Sequence, residues 1–290
     1  MPEVQLLTQL ILPITLALMM LTMGLALTLA DFKRIWHEPK GVLLGIILQL
    51  VLLPAIAWGL IFFAGLFIPL SSTVIVGLII LAVCPGGATS NIISHLSGGD
   101  GALSISMTAV VSLMIPFIIP FSLSYQLHWL GQESIAVQLP ILKTIFQLLL
   151  VTIVPVFIGM SLRQLWPAAI IKLEPWARKA SGIIFFCLVL ALLLVQWPQL
   201  SAMGVSIAVL CLGLCLSSMV LAYGAAVFNR FSVKVRKTLA IEVGIQNAGT
   251  GMFIASVLLA RPELALVPLM YGLVMNIPAF VLIAINQSKQ

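Results

Sequence analysis

Long apolar runs recur along the whole length of this chain. An α-helix needs about 20 consecutive apolar residues to cross the hydrocarbon core of a bilayer. Such runs lie at residues 8–30, 41–66, 73–96, 102–124, 140–162, 180–197, 203–228, 238–260 and 265–285. Hydrophobic residues make up 62% of the sequence and charged residues 8%, which excludes an ordinary soluble domain. The sequence therefore predicts one all-α, polytopic membrane domain over residues 1–290, with about nine transmembrane helices.

Basic residues are unevenly distributed among the predicted loops. Cytoplasmic loops of membrane proteins are enriched in Lys and Arg. With nine spans, only Lys143 and Arg261 fall on one side, and the other side receives Lys33, Arg34, Lys40, Arg163, Lys172, Arg178, Lys179, Arg230, Lys234, Arg236, Lys237 and Lys289. This pattern predicts an N-terminus outside the cell and a C-terminus in the cytoplasm. Because the charges are dispersed among short loops, the net charge of +6 is interpreted as a topology signal, with no nucleic-acid partner. The first apolar run has no basic region before it, so we expect a mature helix there and not a signal peptide.

Two of the apolar runs contain helix breakers. The third run includes CPGGATSN at residues 84–91, and the eighth includes EVGIQNAGTG at residues 242–251. Proline removes a backbone donor and glycine permits non-helical dihedral angles, so both helices should unwind. Irregular backbone at membrane depth is tolerated where it lines a cavity, and paired interrupted helices point to a transporter binding site. The alternative is a pair of glycine-facilitated packing kinks.

The two interrupted runs also suggest an internal repeat. The helix after each one carries a similar segment, SLMIPF at residues 112–117 and VMNIPAF at residues 274–280. The third and eighth spans are five apart, and an odd separation places the two copies in opposite orientations across the membrane. This arrangement predicts inverted repeats with a binding site near the midplane of the bilayer.

Glu242 is the acidic residue placed well inside an apolar run. A carboxylate at bilayer depth is costly and marks an ion or substrate pathway. An intramembrane hydrolase would need a nucleophile with a base or a pair of carboxylates, whereas His95 and His128 lie at span ends, so we expect no enzyme activity. A proton-coupled carrier remains an alternative, because a buried glutamate can carry a proton. A channel would not explain two interrupted helices around one acid.

These motifs resemble the bile acid:sodium symporter family, particularly its bacterial members. The resemblance covers about residues 8–285 and is strongest in CPGGATSN at 84–91, GALSISMT at 101–108 and IEVGIQNAG at 241–249. It implies a multi-pass protein of a bacterial inner membrane, with two crossing unwound helices and with substrate bound between a core and a panel domain. The core would comprise residues 41–130 and 203–285, and the panel residues 8–30 and 140–197. Compared with ten-helix bacterial members, the chain is expected to lack the first panel helix.

The resemblance also implies two sites for sodium as the coupling ion, with no other cofactor. The first would be formed by Ser90, Asn91, Ser104, Thr108 and Glu242. The second would be formed by Gln49, Glu242, Gln246 and the backbone carbonyls of Val243 and Ile245. All of these groups offer oxygen, the ligand that hard cations prefer. From the residues alone, Ser104, Thr108 and Gln49 are equally interpreted as interhelical hydrogen-bonding groups.

The substrate is expected to be an organic anion, either bile-acid-like or a small carboxylate such as a pantoate-like hydroxy acid. Candidate substrate-binding residues are Asn247, Asn276, Thr89 and Asn91. The chain has Ala88 where family members carry Thr, which puts the substrate hydroxyl contact in question. It has Met275 where some relatives carry a polar residue, which suggests a differently shaped or more apolar substrate pocket. The predicted function is sodium-coupled symport of the anion by alternating access in a lipid bilayer, with a proton-coupled organic anion carrier or exporter as the alternative.

Overall fold

The computed structural model describes residues 2–32, 39–131 and 140–288, and within these ranges the chain is nearly all helical, without a β-strand. The helices in chain order are α1 (Glu3–Ala26), α2 (Pro39–Gly65), α3 (Ser72–Ala82), α4 (Ala88–Leu96), α5 (Gly101–Trp129), α6 (Ile141–Leu165), α7 (Pro167–Ala202), α8 (Val205–Phe228), α9 (Val233–Gly244), α10 (Ala248–Leu258) and α11 (Pro262–Gln287). Seven of them are long and apolar enough to span a membrane, and α3, α4, α9 and α10 are shorter. The predicted all-α polytopic class is confirmed, and the count of nine crossings stays a prediction.

Prolines are accommodated inside α1, α2 and α6 by wider turns. A π-helical turn ends just before Pro13, Pro54 and Pro155 in these three helices. Because proline cannot donate a hydrogen bond and its ring clashes with the preceding turn, a π turn lets each helix continue past it. The long helix α5 runs through Pro116 and Pro120 without ending.

Helix α7 begins earlier than the apolar run predicted. The segment expected as a basic loop forms the first turns of this helix, starting at Pro167, a residue that favours the first helical position. An ion pair four residues apart joins Arg178 Nε and Glu174 Oε1 at 3.2 Å on this segment. Helical pairing therefore stabilises a stretch whose polarity alone suggested a loop. Of the residues used for the topology prediction, Lys33, Arg34 and Lys289 lie outside the described residues.

Helix α1 packs closely along α6 and α7. Two glycines permit the contact with α6, because a Cβ at Gly24 would collide with the backbone of Val156 and a Cβ at Gly159 would lie 2.7 Å from the backbone nitrogen of Leu25. Small residues commonly allow such close approach between membrane helices. The three helices thus form one packed group, which corresponds to the segments predicted as the panel domain.

The two interrupted helices cross each other at their breaks. Residues 83–87 separate α3 from α4, and residues 245–247 separate α9 from α10. Gly86 and Gln246 form an antiparallel bridge, and the backbone nitrogen of Asn247 donates to the carbonyl oxygen of Pro85 at 2.8 Å. Both predicted interruptions are therefore present and meet at one point in the buried interior.

Candidate ion and substrate site

A buried carboxylate lies directly before the second interruption. Glu242, in the last turn of α9, has no exposed surface. Two hydroxyls of α5 approach it, since Ser104 Oγ donates to Oε1 and Thr108 Oγ1 lies 2.9 Å from Oε2. Asn91 Oδ1, from α4, lies 2.7 Å from the Ser104 hydroxyl and 3.1 Å from the Thr108 hydroxyl. The side chain of Ser90 also interacts with the carboxylate. The five residues predicted for the first sodium site are therefore together.

This cluster contains more acceptor oxygens than hydroxyl protons. The single proton of Ser104 faces both Asn91 Oδ1 and Glu242 Oε1. The Thr108 hydroxyl has one proton, but three acceptors lie within hydrogen-bonding distance of it: Asn91 Oδ1, Glu242 Oε2 and the Ser104 carbonyl. Each hydroxyl can donate only one hydrogen bond at a time, so some of these oxygens face each other without a shared proton. A small hard cation at this position would be coordinated by the surplus oxygens.

The groups predicted for the second sodium site lie beside the first. Gln49, in the π-helical turn of α2, and Gln246, in the break, are both buried. Gln49 Nε2 lies 3.4 Å from Gln246 Oε1, and Gln246 Nε2 donates to the Val243 carbonyl at 2.6 Å. Ile245 follows in the interruption, and Glu242 precedes it by less than one helical turn. The side chains of Gln49 and Gln246 thus meet at the end of α9.

Gly86 makes room for both groups of ligands. A Cβ at this position would lie 3.0 Å from Glu242 Oε2 and 3.5 Å from Gln49 Nε2. The first distance is well inside normal van der Waals contact, so any larger residue would displace the carboxylate. The role of this glycine is therefore to permit close approach between the two crossing segments.

A carbonyl freed by the second break is held by side chains that the sequence analysis did not single out. The Gly244 carbonyl accepts a hydrogen bond from Tyr271 Oη at 2.6 Å and from Cys215 Sγ at 3.1 Å. All three residues are buried. Buried carbonyls at helix ends require partners. The signal in the sequence is a tyrosine hydroxyl in an otherwise apolar stretch of the last helix, which needs an acceptor when it is buried.

A small cavity lies beside the crossing. Its volume is about 40 Å³. It is lined by Met19, Gly87, Thr89, Phe185, Val189, Gln246, Asn247, Ala248, Gly249, Met252, Leu269, Gly272 and Met275. Asn247 caps α10 by accepting from the backbone nitrogen of Thr250 through Oδ1 at 3.0 Å. This bond fixes the orientation of the amide, so Asn247 Nδ2 remains as a donor for an acceptor in the cavity.

Two of the residues predicted to bind substrate lie elsewhere. Asn91 contacts the Glu242 cluster and lines another cavity, of about 260 Å³, together with His95 and Arg178. Asn276 Nδ2 donates within its own helix, at 2.7 Å to the Gly272 carbonyl, where it supports the interruption of α11 next to Met275. Of the four predicted residues, Thr89 and Asn247 line the small cavity. The roles of all four stay predictions.

Residues 13–203 match the sequence profile of the sodium bile acid symporter family, well over half of the chain. The chain belongs to this family. It is 28% identical over 247 residues to the uncharacterized sodium-dependent transporter YocS of Bacillus subtilis, covering 84% of this chain and 73% of that protein. It is 27% identical over 279 residues to human sodium/bile acid cotransporter 4, covering 93% of this chain and 62% of that protein. It is 27% identical over 258 residues to a rice chloroplast protein described as a probable sodium/metabolite cotransporter, covering 86% of this chain and 57% of that protein.

Membership of the sodium bile acid symporter family confirms the resemblance seen in the three motifs. The family consists of sodium-dependent transporters and not of enzymes. The profile match ends at residue 203, before α9 begins, whereas the similarity to the human protein covers 93% of the chain and so extends into the second interrupted helix. The chain spans less than two thirds of the rice and human relatives.

Proposed function

We propose that this chain is a symporter that uses two sodium ions to carry an organic monoanion across a bacterial inner membrane by alternating access. The proposal is supported mainly by the surplus of acceptor oxygens around Glu242. This residue is fully buried and lies next to the crossing of the two interrupted helices. Ser90, Asn91, Ser104, Thr108 and Glu242 hold the first ion. Gln49, Gln246, Glu242 and the carbonyls of Val243 and Ile245 hold the second.

The anion binds in the small cavity beside the crossing. Asn247 Nδ2 and the Thr89 hydroxyl donate to its carboxylate. The cavity also lies at the start of α4 and of α10, where helix dipoles and backbone donors favour negative charge. The carboxylate of Glu242 with two bound Na⁺ leaves a local charge of about +1, which a monoanion neutralises at low dielectric. Sodium binding therefore favours anion binding electrostatically.

Alternating access follows from movement of the panel helices α1, α6 and α7 against the remaining core helices. A cavity of about 250 Å³ lies at the end of the protein that contains Gln5 and Gln196, near the start of α1. A cavity of about 260 Å³ lies near Arg178, on the predicted cytoplasmic side. The small central cavity lies between helices of the two groups. Transport with two sodium ions moves one net positive charge, so membrane voltage contributes roughly 2.3 kcal/mol per 100 mV.

The decisive experiment measures the Tm of the detergent-purified protein during a sodium titration, with potassium and choline as controls for ionic strength. A ligand that binds only the folded state stabilises it by mass action. We expect a saturable, sodium-specific increase in Tm that is absent from Glu242→Ala. Stabilisation that depends on pH and Glu242, and not on sodium, would instead support the proton-coupled carrier.

A further inference from the structure

An aromatic side chain of the panel helices bounds the small cavity beside the crossing, which we call the central cavity. Phe185 of α7 packs against the first turn of α10, where a Cβ at Gly249 would lie 3.0 Å from Phe185 Cε2 and 3.2 Å from Phe185 Cζ. Gly249 follows Asn247 by two residues, so the ring lies directly beside the amide that we assign to the substrate carboxylate. Met19 of α1 lines the same cavity from the panel side.

The glycine at position 249 is explained by neighbouring side chains and not by backbone conformation. Its φ angle is outside the left-handed region, so an L-residue could adopt the same backbone. Position 249 lies in a helical turn, where alanine is intrinsically more favourable than glycine. Two groups oppose a Cβ there, the edge of the Phe185 ring and Asn247 Oδ1, which would lie 3.2 Å away. Contact between α7 and α10 at this point therefore determines how much space remains around Asn247.

The lining of the cavity limits the chemistry of its ligand. The volume of the cavity is about 40 Å³, and none of the described residues that line it is charged. Three methionines line it, Met19, Met252 and Met275, whose flexible side chains adapt to ligands of somewhat different shape. A rigid fused-ring skeleton would not fit beside Asn247 unless Phe185 moved away from Gly249.

We infer that Phe185, seated on Gly249, sets the upper size limit of the substrate, which is a compact monocarboxylate with a short apolar skeleton and not a steroid. The inference rests on the proposed function, because it takes the cavity beside Asn247 to be the substrate site. It assigns a specificity role to a residue of the panel helix α7.

The test measures anion binding as the additional rise in Tm in saturating sodium, with acetate, pivalate, cyclohexanecarboxylate and cholate as probes. In the unaltered protein we expect stabilisation by the compact acids and none by cholate. Phe185→Ala should bind cyclohexanecarboxylate about tenfold more tightly and gain a response to cholate, since one additional or missing apolar group changes binding by roughly 10- to 200-fold. Gly249→Ala should weaken every compact acid by displacing the ring.

Phe186→Ala is the matched control, because this neighbouring ring is 62% exposed and faces away from the cavity. It should leave the order of the four acids unchanged. The response to sodium alone is recorded first for each variant, and Phe185→Leu is used if Phe185→Ala does not fold.

Loss of the sodium response in the unaltered protein would contradict the proposed function itself. If the sodium response is normal, either of two results overturns the size limit without contradicting the proposed function. In the first, cholate stabilises the unaltered protein as well as pivalate does, or no compact acid stabilises it. In the second, Phe185→Ala leaves the order of the four acids unchanged.

Discussion

The two interrupted helices meet at one crossing, but their breaks are built differently. The break between α3 and α4 contains Pro85, which lacks a backbone donor, and two glycines. The break between α9 and α10 contains no proline, and side chains from other helices, Tyr271 and Cys215, bond its freed Gly244 carbonyl. The first break is thus encoded locally in the sequence, whereas the second depends on tertiary partners.

The two breaks also differ in burial and charge. Every residue from Thr238 to Ser256, around the second break, is buried, and this segment supplies Glu242. In α4, after the first break, Thr89 is exposed and Asn91 is half-buried. The second break is therefore the more buried of the two, and it carries the carboxylate that we propose as a ligand of both ions. The first break provides space at the crossing and the more accessible face.

The largest expected effect is from removing the charge of the second break. Glu242→Gln keeps the shape of the side chain but removes the negative charge shared by both proposed sodium sites. We expect sodium affinity to fall at least about 100-fold, consistent with the ~1.5–3 kcal/mol of a hydrogen bond to a charged group together with the lost attraction for the cation. Sodium-dependent Tm shifts measure this change. The control is Glu263→Gln, an exposed acid 3.6 Å from Arg261, and a comparable loss there would contradict the assignment.

A pair of glycine substitutions at the first break should separate ion binding from anion binding. A Cβ at Gly86 would lie 3.0 Å from Glu242 Oε2, so Gly86→Ala should weaken sodium binding by about tenfold, or ~1.4 kcal/mol. A Cβ at Gly87 would make ordinary van der Waals contacts, 3.4 Å to Thr89 Oγ1 and 3.7 Å to Asn247 Cα, but it would occupy part of the small cavity that Gly87 lines. Gly87→Ala should therefore weaken the anion response and leave the sodium titration nearly unchanged.

Equal effects of the two variants on both ligands would contradict this division into an ion face and an anion face. One sample is titrated first with sodium alone and then with the compact acids in saturating sodium. These titrations report sodium binding and anion binding separately.

The tertiary partners of the second break are expected to have an intermediate effect. Tyr271→Phe removes the hydroxyl that bonds the Gly244 carbonyl at 2.6 Å and leaves that buried acceptor with Cys215 Sγ as its remaining partner. We expect a loss of about 1–3 kcal/mol in stability and a several-fold loss in sodium affinity. If the carbonyls at the second break shift, the ratio of sodium to lithium affinity should change. General destabilisation would leave that ratio unchanged. Tyr125→Phe, an exposed tyrosine of α5, is the control.

The same difference between the breaks explains how much the sequence could predict. Hydropathy identified the helical membrane class, and the Pro-Gly-Gly motif and the buried acid located the crossing. The ligand sets were carried over from the family resemblance, and the structure brings those side chains together. Phe185 and Tyr271 could not be predicted, because their roles depend on which helices become neighbours and not on local spacing. The helical start of α7 was missed because a basic stretch without strong breakers was interpreted as a loop.

The smallest effect is expected for Asn276, which the sequence predicted to bind substrate. Its Nδ2 donates to the Gly272 carbonyl at 2.7 Å within α11, and the residue does not line the central cavity, whereas Asn247 does. Asn276→Ala should therefore cost about 0.5–1.5 kcal/mol in stability, the usual contribution of one hydrogen bond, with little change in anion affinity. Asn247→Ala should weaken anion binding about tenfold or more, because it removes a donor to the proposed carboxylate. If Asn276→Ala lowered anion affinity as much as Asn247→Ala at unchanged stability, Asn276 would turn toward the substrate during transport, and the anion face would include the interruption of α11.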